Sequence, residues 1–276
     1  MLLGDYFDAH GGTPEDARAT AIWLKEKVLY NPKIIGLVGN HDINYIWHNN
    51  PNYRCSGYSE FTSIAINDVL NENDKNQLKF FHIDQGYAFT HAGVSNQIWK
   101  KLLLRFPENA TNKPKLEFFR DVLTDVVAES IDIANQGGSA ELFGAGWDRH
   151  GWQPDGGILW VDWNNLSPLK GVNQIVGHSK HRLPQIFIQK VGGAISKKSI
   201  LDHYEREDLI RRANEAAHVP LKEKPVLSTN YLLDTALEHY AVITDGKVEI
   251  YDYQNRINLR QLADYVIPES PLNNLS

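Results

Sequence analysis

A single cysteine, Cys55, excludes an intramolecular disulfide framework and any zinc ribbon built on paired cysteines. Its simplest role is that of a small, buried or half-buried apolar residue. No apolar run approaches the ~18 residues of a membrane-spanning helix. The N-terminus has no basic region leading into an apolar stretch, so no secretory signal is visible. Both absences set the expectation of a soluble, cytoplasmic chain. Positive charge is scarce too: 28 Lys and Arg stand against 34 Asp and Glu, a formal charge of −6. Without a Lys/Arg excess there is no broad surface to neutralise phosphates along a nucleic acid. Internal repeats and low-complexity tracts are also lacking.

What is present is enough for one sizeable α/β domain: 276 residues, 42% of them hydrophobic. Thr13-Pro14-Glu15-Asp16 reads as a helix start, with Thr as N-cap, Pro in the first turn and acids beside it. That helix is expected to run to about Leu29, and Lys33 to Val38 to form a short buried strand. With the strand tail Met1 to Asp5, this makes a strand–helix–strand unit, the mark of a parallel sheet. A helix is expected from Ser59 to about Asn71. Strands over 78–83 and 87–90 are joined by the hairpin turn Asp84-Gln85-Gly86. Helices over about 95–105 and 115–135 form an excursion from the sheet, spanning about 94–136. Further strands are expected at 158–161, 173–176, 185–191, 231–233, 239–244 and 247–253, the last two joined at Asp245-Gly246. A charged insertion covers about 196–224. The domain reading is one unit over 1–254 and a polar tail over 255–276.

Several apolar runs end abruptly in polar, chemistry-bearing residues. They are Leu2-Leu3-Gly4-Asp5, Leu37-Val38-Gly39-Asn40-His41-Asp42, Phe89-Thr90-His91 and Ile175-Val176-Gly177-His178. In an open α/β sheet the carboxyl ends of strands are where ligands bind. A carboxamide, an imidazole and a carboxylate at such an edge can hold a hard-to-borderline metal and move a proton. Each motif alone also reads as a turn, a helix cap or a satisfied strand-end histidine.

Taken in order, Gly4-Asp5-Tyr6-Phe7-Asp8, Gly39-Asn40-His41-Asp42, Thr90-His91-Ala92-Gly93 and Gly177-His178-Ser179-Lys180-His181 resemble the ordered motifs of the calcineurin-like metallophosphoesterases. The branch they are most similar to is that of the phosphoprotein phosphatases and diadenosine tetraphosphatases. Leu233-Asp234-Thr235 before a hairpin resembles that branch's C-terminal strands. The resemblance implies a four-layer αββα sandwich of two mixed sheets, and a two-metal site of Mn²⁺, Fe or Zn²⁺. By that resemblance Asp5 bridges the metals, while Asn40, His91 and His178 complete one metal site. His41 donates a proton to the leaving oxygen and Asp8 holds His41. The implied activity is hydrolysis of a phosphomonoester, a phosphoprotein among them, by a metal-bound hydroxide. Hydrolysis of a dinucleoside polyphosphate or nucleotide is the alternative. The implied partner is a phosphorylated substrate, with no membrane and no nucleic-acid surface.

Two features depart from the family. Its first motif, Asp-x-His on a preceding strand, is absent, so one metal is better supported than two. His181 is a candidate replacement ligand and His10 a remoter one. The sequence reads as starting partway through a strand, which favours truncation over genuine loss. The truncated chain is then expected to be weak or inactive, and a phosphatase-like binding module becomes the rival reading. The second departure is that Ala9 and His10 stand where phosphoprotein phosphatases carry a phosphate-gripping Arg. Arg149 is the first substitute, with Arg182 and Lys180 behind it, because a guanidinium suits a bidentate phosphate contact. His48 and His150 are expected at the surface or in packing. Trp147, Trp152, Trp160 and Trp163 are expected to pack in core and loops.

Overall fold

The computed structural model describes residues 1–8, 11–106, 114–190, 198–216, 226–236, 238–254 and 258–259. The fold is α/β, with a mixed six-stranded sheet and a two-stranded one. Helix α1 (Pro14–Trp23) opens with a capping box between Thr13 and Asp16 and continues as a π-helical turn, Leu24–Leu29. Next come α2 (Asn40–Ile46), α3 (Glu60–Asn67) and α4 (Glu72–Lys75). Strands β1 (Phe81–Asp84) and β2 (Tyr87–Thr90) form a hairpin. Its turn takes positive φ at both Gln85 (44°) and Gly86 (85°), which matches the twist of the strands. Helices α5 (Asn96–Arg105) and α6 (Lys115–Asn135) make the expected excursion. Then follow β3 (Asn173–Val176), β4 (Gln185–Lys190), the two-residue β5 (Lys198–Ser199) and α7 (Ile200–Ala216). The described chain closes with β6 (Val226–Leu232), β7 (His239–Thr244) and β8 (Lys247–Asp252).

The large sheet has the order β1-β2-β3-β6-β4-β5. Within it β2, β3 and β6 run parallel, so the ends of β2 and β3 lie side by side. Every residue of β2 is buried, as expected of an interior strand covered on both faces. On one face Ala88 joins a core with Val94, Ile98, Leu102 and Phe119 of the helical excursion. On the other, Tyr87, Phe89 and Ile175 pack with Leu37, Ile243 and Val248, which brings in the β7–β8 hairpin. A third cluster joins α1 to Tyr45 and Ile66.

Two expected strands are corrected. The stretch Lys33 to Val38 reduces to two bridge residues, Gly36 paired with Leu2 and Leu37 paired with Lys79. Its neighbours supply one pairing residue each, too few to extend a ladder. Ile158 to Val161 is a buried turn: Ala92 N–H donates to Ile158 O (2.9 Å) and Val161 N–H to Gly157 O (3.1 Å). A short apolar run is equally suited to either form. The small sheet has two strands, so the layer opposite the helices consists of this hairpin and the bridged segments. Between Leu2–Leu3 and β7 lies a groove of about 670 Å³, lined by Ile35, Phe89, Ile175 and Ile243. Of the insertion read over 196–224, β5 and α7 are described. The tail beyond 259 and His10 lie outside the described residues.

Candidate metal centre

The loop after Leu3 and the turn after Val38 are tied together by one buried carboxylate. Asp42 Oδ2 accepts from Gly39 N (2.7 Å) and Asp5 N (2.8 Å), and Oδ1 accepts from Tyr6 N (2.8 Å). Burial and the Asp5 charge push Asp42 up to about 6, against the pull of these main-chain donors. Glycine is required at both joints. A Cβ on Gly4 (φ +94°) would stand 2.5 Å from Gly39 N, and one on Gly39 would strike the Asp5 carboxylate.

Asp5 therefore projects toward the adjacent ends of β2 and β3. His91 follows β2 directly, and its carbonyl accepts from Gly177 N (2.7 Å), which sets His178 beside it. Below, Gln174 Oε1 accepts from Val94 N (2.8 Å) and fixes the turn after His91. The result is a convergence of donor atoms. His91 Nε2 lies 3.0 Å from Asn40 Oδ1, 3.2 Å from His178 Nδ1 and 3.4 Å from Asp5 Oδ2. Asn40 Oδ1 is also 2.9 Å from His178 Nδ1. His91 Nδ1 is 2.6 Å from Leu3 O and donates to it, so in the neutral ring Nε2 presents a lone pair. Lone pairs from a carboxylate, an amide and two imidazoles then face a common point. Such a set repels itself unless a proton or a cation joins it, and the donor types suit a borderline divalent ion. His91 is 2% exposed and Asn40 2%, and the Leu3 carbonyl is the outer partner that orients a ligating histidine.

Without a metal, the charges of the group are shared among Asp5 and the two histidines. Burial opposes ionisation of Asp5, but His91 and His41 hold its carboxyl well below the usual range. Burial lowers His91, yet the Asp5 carboxylate overcomes it and the net shift is upward. His178 goes the other way, down to about 3, through burial first and the charge on His91 second. Its Nε2 is buried and unpartnered.

His41 stands at the edge of this group. Its N–H donates to Asp5 Oδ1 (3.1 Å), and its Nδ1 lies 3.2 Å from Asp8 Oδ2. The Asp8 hydrogen bond chiefly, and Cys55 next, raise His41 to about 10. Tyr45 Oη donates to the other Asp8 oxygen. Asp5, Asp8 and His178 all take left-handed backbone conformations, at φ 60°, 61° and 69°. That is a region which costs an L-residue of order 1–3 kcal/mol.

The structure thus brings together Asp5, Asn40, His91 and His178, and pairs His41 with Asp8. His181 is not among the clustered ligand atoms; its main-chain N–H donates to Asp234 O (2.9 Å). Arg149 is clamped by Asp162, with Nε 3.0 Å from Oδ2 and Nη2 2.7 Å from Oδ1. Its charge is felt at His178, so it lies near the centre without touching it. Arg182 and Lys180 are exposed. Of the tryptophans, Trp163 is buried and Trp160 packs edge-on against His178, whereas Trp147 (65% exposed) and Trp152 (96%) stand in solvent, against expectation. Asp42, the carboxylate of the Gly39–Asp42 motif, is not among the clustered ligand atoms and accepts from main-chain N–H groups instead. Nothing local in the sequence marks Asp162. Comparison with models of known protein families, with curated proteins and with solved structures returns no match.

Proposed function

We propose that the chain is a metal-dependent phosphoesterase acting on a phosphomonoester. The observation that carries this reading is the juxtaposition of the four converging donors with a protonated His41 that shares Asp5 with them. Asp5, Asn40, His91 and His178 would hold the cation, with Mn²⁺, Fe and Zn²⁺ all compatible. A divalent ion there supplies Lewis-acid polarisation of a phosphoryl oxygen and activation of water near neutral pH. The protein's own part is positional. Asp42 fixes the two loops, Leu3 O fixes the His91 tautomer, and Asp8 keeps the proton on His41 for transfer to the departing oxygen. The groove of about 670 Å³ that includes Asp5, His91 and His178 gives solvent and substrate access. Resemblance of the motifs to the calcineurin-like metallophosphoesterases supports the reading, and with it the finer expectation of a four-layer sandwich.

Two observations keep rivals in view. Exposed Trp147 and Trp152 flank the Arg149 turn, where they could stack on a base, which favours a nucleotide or dinucleoside-polyphosphate substrate. Among the described residues, the other metal-ligating group, Asp8, His41 and Cys55, does not include Asp5. Among the described residues a second ion bridged by Asp5 thus finds no further clustered ligands, which favours a weakly active or purely binding role. The test is hydrolysis of p-nitrophenyl phosphate with added Mn²⁺, alongside metal content. Turnover that needs metal and His41 supports the enzyme. Tight metal or phosphate binding without turnover supports the binding module.

A further inference from the structure

A second group of metal-ligating side chains surrounds the His41 ring. Asp8 Oδ2 lies 3.2 Å and Cys55 Sγ 3.6 Å from His41 Nδ1, and the three ligand atoms are within 4.8 Å of one another. We propose that Asp8, His41 and Cys55 form a separate site for one borderline cation, Zn²⁺ above all, and that its occupancy switches off hydrolysis. The site itself is independent of the proposed function; the switch rests on it.

Three features carry the inference. The first is spacing. With Zn–S near 2.3 Å and Zn–N or Zn–O near 2.0–2.1 Å, tetrahedral geometry sets S···N at about 3.5 Å and N···O at about 3.4 Å. The observed separations, 3.6 and 3.2 Å, already lie at those edges. The second is orientation from outside. Tyr45 Oη occupies Asp8 Oδ1 and turns Oδ2 toward His41, while Asn44 Nδ2 donates to Cys55 Sγ (3.0 Å) and, at 3.5 Å, to Asp8 Oδ2. Gly57, at φ +98°, lets the Cys55–Gly57 turn lie on Asp8, where a Cβ would come within 3.0 Å of the Asp8 Cβ. The third is access. Asp8, His41, Ser56 and Gly57 border a cavity of about 450 Å³, so a water can fill the fourth position. The thiolate sets this group apart from the all-nitrogen-and-oxygen Asp5 group and favours Zn²⁺ over Mn²⁺.

Binding exchanges one Zn²⁺ for two protons, one from the Cys55 thiol and one from His41 Nδ1, both released to water. The ring then keeps only its Nε2 proton. Giving that proton to a leaving group would create a metal-bound imidazolate, so His41 ceases to be a useful acid.

Co²⁺ added to the 276-residue chain under reducing conditions tests the site without reference to activity. Because Cys55 is the one cysteine of the chain, a near-ultraviolet thiolate-to-cobalt band reports this group alone. The expected result is saturation at one equivalent in this band, its loss in Cys55→Ala and Cys55→Ser, and affinity at least ~10-fold weaker in Asp8→Asn. No band, or equal affinity in Asp8→Asn and His41→Asn, would mean a thiol acting alone and would overturn the site. For the switch, Zn²⁺ is titrated into Mn²⁺-supported hydrolysis. Relative to its own zinc-free rate, Cys55→Ala should need about 10-fold more Zn²⁺ or beyond for half-inhibition. Equal inhibition of both chains overturns the switch. Absence of turnover in both fells the hydrolytic reading and the switch with it, while the cobalt band still decides the site.

Discussion

His178 and His41 are the same residue placed in opposite surroundings within one centre. His178 is buried beside His91 and is driven down to about 3, so it is a neutral ring with lone pairs to offer. His41 leans on Asp8 and is driven up to about 10, so it is an imidazolium with a proton to give. Burial penalises the charged ring in both cases. What decides the sign is the carboxylate: Asp8 is hydrogen-bonded to His41, whereas His178 meets Asn40, a neutral acceptor. A ligand and an acid can therefore stand side by side without exchanging roles.

The comparison can be broken most forcefully at His41. His41→Asn should lower hydrolysis by roughly 10²–10⁴-fold, the usual worth of a general acid. Mn²⁺ binding at the Asp5 group, by calorimetry, should stay unchanged; loss of that ion would make His41 one of its ligands and erase the contrast. On the other side, His178→Ala and Asn40→Ala should each weaken Mn²⁺ binding by about 10–100-fold in calorimetry. Unaltered binding would remove them from the metal.

Asp42→Ala tests what the two histidines share. It leaves one buried main-chain N–H group (Gly39) and two part-buried ones (Asp5, Tyr6) without their acceptor, at about 1–3 kcal/mol for the buried one and less for the others, so urea unfolding should show a loss of about 2–4 kcal/mol. A loss under about 1 kcal/mol would mean water replaces the carboxylate. The gentlest test is ¹⁵N NMR titration of the metal-free chain, where His41 should stay protonated until about pH 10 and His178 neutral until about pH 3. The linkage has opposite signs. The raised His41 value adds stability that is complete below the unfolded value near 6.5 and lost as pH rises through about 10. The lowered His178 value adds stability present above 6.5 and lost as pH falls through about 3. Similar titration curves for both rings would end the comparison.

How much of this was written in the sequence follows from how local each feature is. The four strand-end motifs carry their chemistry in consecutive residues, so Asp5, Asn40, His91 and His178 could be named before any geometry. The hairpins at Gln85-Gly86 and Asp245-Gly246 were legible for the same reason, since turn chemistry is local. The Arg149–Asp162 clamp was not, because a guanidinium and a carboxylate thirteen positions apart advertise nothing until a loop folds them together. By its residue type alone Cys55 reads as an apolar filler. Only the turn ending at Gly57 reveals that its sulfur faces His41. The strand expected at 158–161 failed because burial, not extension, was what its apolar residues encoded.

The left-handed backbone at Asp5, Asp8 and His178 has a consequence for how the protein keeps its shape. Three residues in left-handed conformations concentrate backbone strain at this corner, which should lower the cost of opening it locally. A cation that binds only the closed corner would add RT ln(1 + [M]/Kd), about 2.7 kcal/mol at a hundredfold excess over Kd, to the whole molecule. Chelation would then be felt as a lower melting temperature. Amide exchange would quicken at residues 4–8 and 177–179 before the interior of β2 and β3, so that metal supply, beyond any part in turnover, would set the protein's lifetime.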